Sequence, residues 1–226
     1  MTIIAAAQWR AYRARTFHLA RPLGTPEAAV RFVNERGFAY FWPIKGADLP
    51  SLWAAVAGDR PVADAHDDPG HITWGWKDQM LGARRWFYAK LLRGKATLVA
   101  LDVLPAFYAL SENFGDYQED YRALYAEGRL TAEARAVYEA LLEKGPLDTV
   151  ALRKAARLTS RESNTRFERA LTELQTSLNI LPVGVAQAGA WRYAFIYDIV
   201  ARYYPDLPAQ AGALQRGAAR LRLADL

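Results

Sequence analysis

Four stretches of the chain combine residue types and spacings that could do chemistry. In GFAYFWPIKG, residues 37–46, Tyr40 and Trp42 lie two apart. On a strand that spacing puts both side chains on one face. They would form a flat aromatic surface able to stack a base, with one hydroxyl and one indole N–H as polar handles. In ITWGWKDQM, 72–80, Trp74 and Trp76 flank a glycine and precede Lys77 and Asp78. Two same-facing indoles would extend an aromatic pocket made of Tyr40, Trp42, Trp74 and Trp76; plugging a core is the plainer role for the same rings. SENFGDYQEDY, 111–121, supplies Glu112 and Asp116, which with Asp78 are the candidate water activators. Glycoside chemistry needs paired carboxylates at a fixed separation, and this stretch alone fixes none, so an acidic solvated turn is its simpler reading. HDDPGH, 66–71, holds nitrogen and oxygen donors. Adjacent residues converge poorly on one ion, however, and Pro69-Gly70 makes a plain turn, so no metal and no cofactor is expected.

The elements that must position these residues follow from caps and periodicity. Thr25 caps a helix over 26–36 whose Pro26 sits at the first helical position. Ala29, Phe32 and Val33 give that helix an apolar face, and Gly37 closes it. GFAYFWPI then reads as a strand, 49–58 as a short helix ended by Gly58, and 59–75 as loop. KDQMLGARRWFYAKLLRGK, 77–95, reads as helix. Residues 96–110 suit either a strand or a buried helix, which periodicity alone does not separate. SENFGD is a turn, and YQEDYRALYAEG a short helix.

From Thr131 the signals sharpen. A helix runs to Gly145 with Val137, Ala140, Leu141 and Leu142 as its stripe. GPLDT is a short extended piece, and Asp148 or Thr149 caps VALRKAARL. After a turn at Thr159-Ser160 comes a longer helix, with Thr159 and Glu162 at capping-box spacing. Phe167, Ala170, Leu171 and Leu174 form its core face. LNILPVGV and AWRYAFI read as two strands joined at AQAG. That order is a helix-turn-helix followed by a β-hairpin wing. A helix over 198–204, broken at Pro205, and a terminal helix carrying Arg216, Arg220 and Arg222 complete the chain.

The chain has 226 residues, 52% of them hydrophobic, enough for one large domain or two small ones. No long charge-free apolar window predicts a membrane span, and no secretion signal is expected at the N-terminus. The absence of cysteine excludes disulfides, thiolate nucleophiles and cysteine-bound zinc, and fits a cytoplasmic location. Phosphate-loop, HExxH and GxSxG motifs are missing too. The formal charge of +5 is modest. Its distribution says more: the first 21 residues hold four arginines and no acid, and residues 144–176 hold seven Lys or Arg against four Asp or Glu.

The second basic region coincides with the third helix of the winged-helix pattern, the element that reads the major groove. With its apolar face buried, Arg161, Asn164, Thr165, Arg166 and Arg169 point outward. Arg and Asn make two-point contacts with guanine and adenine edges. Lys154 and Arg157 are placed to touch phosphates and set register. The wing has no basic residue of its own; Arg192 is the nearest substitute. A solvated basic face used for protein contact is the alternative.

The chain resembles the winged-helix family related to the bacterial alkylpurine and interstrand-crosslink DNA glycosylases, the AlkZ-like enzymes. The likeness is carried by EKGPLDTVALRKAARL, 143–158, and FERALTELQTSLNILPVGVAQAGAWRYAFIYD, 167–198, with weaker similarity in 25–130. It implies tandem winged-helix subdomains sharing one body. In the enzymes a strand carries a Gln-x-Asp or Gln-x-Gln pair that positions the attacking water. Laid on GFAYFWPI, that pair falls on Tyr40 and Trp42, and neither replaces a carboxylate base at neutral pH. The enzymes also resemble three winged helices followed by a small β-barrel, whereas this chain has room for about two plus a helical tail.

The expected fold class is thus α+β and mainly helical, with tandem winged-helix subdomains in one compact body. Its expected divisions are a basic arm over 1–24, a first winged-helix-like subdomain over 25–130, a winged-helix domain over 131–197 and a helical tail over 198–226. The expected function is binding of duplex DNA, intact or damaged, without the family's ordinary chemistry. The alternatives are a monofunctional glycosylase with a non-standard water activator, and a protein-interaction module or ligand-responsive regulator.

Overall fold

The structure, a computed structural model, describes residues 5–226, so residues 1–4 of the expected basic arm lie outside the described residues. The arm carries a helix, α1 (Ala6–Thr16), anchored where Thr16 and Phe17 are buried and Arg13 pairs with Asp59 at 2.9 Å, and residues 17–24 are non-helical.

Two copies of one topology follow. The first runs α2 (Pro26–Arg36), β1 (Phe38–Tyr40), α3 (Leu52–Ala57), α4 (Ile72–Gly82), then the hairpin β2 (Phe87–Lys90) and β3 (Ala96–Val99). Its antiparallel sheet has the order β1-β3-β2. α5 (Leu104–Leu110) and α6 (Asp120–Ala126) lead to the second copy: α7 (Ala132–Lys144), β4 (Leu147–Asp148), α8 (Thr149–Ala155), α9 (Asn164–Thr176), β5 (Ile180–Ala186) and β6 (Ala194–Ile199). Its sheet order, β4-β6-β5, repeats the first. Each copy is helix, strand stub, two helices and a hairpin whose second strand pairs with the stub. The fold is mainly helical α+β with winged-helix subdomains. α10 (Val200–Tyr203), α11 (Leu207–Gly212) and α12 (Arg216–Ala224) close the chain. No helix among the described residues is long and apolar enough to cross a membrane.

Local chemistry sets these boundaries. The hydroxyls of Thr25 and Thr131 accept from the amides of Ala28 and Ala134, and the Asp148 carboxylate accepts from Val150 and Ala151. Each satisfies donors that a first helical turn leaves unpaired. Gly37 ends α2 at φ 73°, a left-handed backbone that glycine adopts without strain. Gly145 after α7 is needed for space instead: a Cβ there would lie 2.7 Å from both the Leu141 carbonyl and the Arg202 guanidinium that caps α7. Arg202 donates to that carbonyl at 2.9 Å and is held in turn by Asp198.

Several expectations need correction. Residues 77–95 are not one helix. α4 starts at Ile72, inside the expected loop, and ends at Gly82, while Phe87–Lys90 is a strand pairing with β3. The apolar and basic mixture of that stretch imitates an amphipathic helix, but β pairing claims its second half. Residues 96–110 are both alternatives in turn, β3 and then α5. The cap before α9 is Ser160, not Thr159; its hydroxyl accepts from Ser163 N across a 3-10 turn, Arg161–Ser163. The expected helix from Asp198 starts only at Val200, because β6 pairing with β5 continues through Ile199.

Two apolar cores result. One lies around Val33, Phe41, Trp76, Phe87 and Leu98, and it also takes in Leu178, Leu181, Val200 and Leu207 from late in the chain. The other lies around Leu124, Val137, Tyr138, Phe167, Leu174 and Ile199. Burial raises the phenol pKa of Tyr88, Tyr138, Tyr197 and Tyr204 above the ordinary 10.0. As pH passes 10 the unfolded chain therefore releases protons that the folded chain keeps, and stability falls with rising pH. Thermal melts should drop in temperature above pH 10, and phenolate absorbance should rise together with loss of the circular-dichroism signal. Smooth ionisation of these tyrosines with the helical signal intact would contradict this.

Candidate nucleic-acid interface and a caged lysine

The turn between α8 and α9 is fixed by one arginine. Arg153 donates to the carbonyl of Leu158 at 2.6 Å and to that of Ser160 at 2.9 Å. Leu152 and Leu158 sink into the second core, leaving Lys154 and Arg157 on the surface. Beyond the turn, Phe167, Ala170, Leu171 and Leu174 are buried as the spacing predicts. Arg161, Asn164, Thr165, Arg166 and Arg169 are all exposed.

The helix is not free along its whole length. Near its C-terminal end, Gln175 accepts from Lys90 N at 3.0 Å and Thr176 donates to the Lys90 carbonyl at 3.0 Å. The β2–β3 turn lies against Thr172, and Lys90 reaches Glu168 at 3.8 Å. The hairpin of the first copy therefore covers the C-terminal half of α9, and only the N-terminal half faces solvent. Within that half, Arg166 is paired with Glu133 at 3.0 Å. Lys154, Arg157, Arg161 and Arg169 have no ion-pair partner among the described residues, so four cations surround one exposed helix start. Such an end also presents a positive dipole end to phosphate. At the wing, Arg192 is exposed, donates to Gln187 at 3.2 Å and stands beside Trp191, which is 91% exposed.

The corresponding helix of the first copy, α4, has the opposite character. Trp74 and Trp76 do not face the same way, because on a helix residues two apart project to nearly opposite sides. Trp76 is buried in the first core and Trp74 is 41% exposed. Tyr40 is buried and ends β1; the chain bends at Phe41, so strand alternation does not reach Trp42. The four rings expected to line one pocket are thus divided. Trp42 and Trp74 instead join a string of aromatic contacts from Trp53 through Trp42 and Trp74 to Tyr193 and Phe195, with centroids 5.3–6.1 Å apart.

Inside that string lies Lys77, a residue with no role expected from its sequence context. The residue is 0% exposed. Its Nζ lies 2.7 Å from Asp78 Oδ1 and donates to the Tyr193 hydroxyl at 2.8 Å, and that hydroxyl donates to the same carboxylate oxygen at 2.9 Å. The rings of Trp74 and Phe195 lie 4.4 Å from the ammonium, and those of Tyr88, Tyr193 and Phe41 within 6.0 Å. Burial pushes the Lys77 pKa below its usual value, opposed by the hydrogen bond and charge of Asp78 and by the ring faces, which favour a cation. The signal for such a site is tertiary: Tyr193 is 116 residues away.

The other candidate carboxylates lie elsewhere. Glu112 pairs with Arg129, and Asp116 accepts from Gln118 N at 3.0 Å in its own turn. Neither joins Asp78 or Tyr40 in a common site. In the 66–71 turn, Asp68 is committed to Arg60 at 2.6 Å and to the amide of Gly70, and His71 bonds the Ala63 carbonyl. No cluster of three metal-ligating side chains forms among the described residues.

The chain belongs to the AlkZ-related family, whose family model, described as AlkZ related, matches residues 23–224. No curated protein and no solved structure matches the chain.

Lys77 joins α4 of the first copy to the wing of the second, so its removal should weaken that junction. Lys77→Ala leaves a cavity and strips Asp78 of its cation, and should cost about 3–5 kcal/mol of unfolding free energy, the scale for breaking a buried pair. Lys77→Met, which keeps the volume without the charge, should recover at least half of that. Urea unfolding checks both; an alanine variant as stable as the parent would show that the cage carries no weight.

Proposed function

From membership of the AlkZ-related family, we propose that this chain binds duplex DNA through the N-terminal half of α9 and does not hydrolyse the glycosidic bond. The observation that carries the reading is the group of unpaired cations Lys154, Arg157, Arg161 and Arg169 around the exposed start of a third helix in winged-helix context. In this arrangement Arg161, Asn164, Thr165 and Arg169 face base edges, and Lys154 and Arg157 lie along the phosphates. Arg192 supplies the wing's contact, with the exposed Trp191 beside it. Intact and damaged duplex remain alternative targets of the same surface.

The non-catalytic part rests on how the candidate residues are already committed. Tyr40 is buried, and Trp42 is packed between Trp53 and Trp74. Asp78, which meets that aromatic string at Tyr193, is already shared by Lys77 and Tyr193. A carboxylate bound to an ammonium is a poor proton acceptor.

Fluorescence anisotropy on duplex DNA across a salt series tests the binding. Affinity should fall with salt, and each of Lys154→Ala and Arg157→Ala should lower the log–log slope by about 1. Arg166→Ala, which removes a cation already neutralised by Glu133, should change it less. Absence of binding to intact and alkylated duplex at low salt would overturn the reading. Base release from alkylated duplex at enzyme excess would overturn its non-catalytic half.

A further inference from the structure

A cavity of about 480 Å³ lies at the seam between the two winged-helix copies. Its apolar walls are Leu91, Phe107, Leu110, Leu124, Leu130 and Leu178. Leu91 and Leu178 belong to the first core, and Leu124 and Leu130 to the second, so both copies build it. The volume is that of a small-molecule site. Its floor is firm: Asn113 donates to the carbonyls of Ser177 and Leu178 at 2.8 and 3.3 Å, tying the acidic turn to the end of α9.

Four charged side chains reach the rim, and three are already satisfied. Glu173 accepts from the amide and the hydroxyl of Thr131 at 2.8 and 2.7 Å. Glu112 and Arg129 pair with each other, and Arg129 also meets Glu127 at 3.1 Å. Arg93 is the exception. It is exposed, has no carboxylate partner among the described residues, and makes one long hydrogen bond, 3.4 Å, to the Gly46 carbonyl. Its backbone is left-handed, φ 54° and ψ 27°, in the tight turn between β2 and β3. A non-glycine residue held there costs about 1–2 kcal/mol, and such residues concentrate at ligand clamps.

We propose that this seam cavity binds a small apolar carboxylate, its hydrocarbon body on the leucine and phenylalanine walls and its carboxylate on Arg93. Arg93 selects the anion: Arg129 is taken by Glu112 and Glu127, and Arg93 is the rim cation without a carboxylate partner among the described residues. A neutral ligand of the same shape gains only the apolar contact. This proposal is independent of DNA binding and is read without DNA.

Isothermal titration with phenylbutyrate and with phenylbutanol, on the full chain, separates the two contributions. The acid should bind about ten-fold more tightly than the alcohol, the scale of one charge-assisted hydrogen bond. Arg93→Ala, a surface change, should remove that difference while leaving the alcohol's affinity unchanged. Amide chemical shifts should move at Asn113, Thr176 and Ser177 with the acid bound. Leu110→Trp, which fills the cavity, should weaken both ligands. No binding of either at millimolar concentration, equal affinity of acid and alcohol, or shifts confined to other parts of the molecule would each overturn the proposal.

Discussion

Each third helix of the two winged-helix copies packs against the hairpin of the other copy, and the rest of the structure depends on that exchange. α4 meets the second hairpin through Lys77 and Asp78 on Tyr193, and Gly82 lies close to the Val183 carbonyl. α9 meets the first hairpin through Gln175 and Thr176 on the backbone of Lys90. Neither copy buries its apolar surface alone. Trp76, Met80 and Phe87 share a core with Leu178 and Leu181, and Val200, Leu207 and Ala211 seal its far side. A small three-helix unit is marginal by itself because it removes too little surface from water. Two units that cover each other's hairpins gain that area without a longer chain.

The exchange also divides the two helices by role. α4 lies with Thr73, Trp76, Lys77, Met80 and Leu81 buried, and its Lys77 and Asp78 are used up in joining the halves. An ammonium placed among rings instead of in water needs a partner at every approach, and Asp78, Tyr193 and the ring faces supply them. α9 is held only near its C-terminal end. Its first two turns project with their cations unpaired, apart from Arg166. The hairpin that covers one half of the helix thereby fixes which half can meet a ligand.

The second copy was legible almost residue by residue. Thr131 and Asp148 announce helix starts by a mechanism that acts within three residues, and the steps of three and four from Phe167 to Leu174 state the buried face directly. The first copy was less so. Its repeat of the second copy's topology is clear only once β2 is seen to pair with β3, because WFYAK follows a helix without a turn signal strong enough to separate them. α4 is buried on more than one side and carries Gly75 in its middle, so it shows little helical period. Reading Trp74 and Trp76 as same-facing assumed a strand, and the error disappears when the helix is known. Lys77 was illegible for another reason: it is defined by Tyr193 and Phe195, which no local pattern connects to it.

The aromatic run at 38–42 gains its meaning from the same exchange. Phe38 meets Phe107, and Phe41 contacts Trp42, Trp74 and Tyr88, so the run reaches α5, α4 and the β2–β3 hairpin at once. Through Trp74 it continues to Tyr193 and the second wing. A strand used in this way has its side chains committed to packing. A water-handling site has the opposite requirement: polar groups with open valences and a place for a solvent molecule between them. The ring at Trp42 therefore does more than replace a polar group. It makes the run after the strand part of the joint between the two copies, and a polar residue restored there would lie against Trp53, Phe41 and Trp74, where its hydrogen bonds would be hard to satisfy.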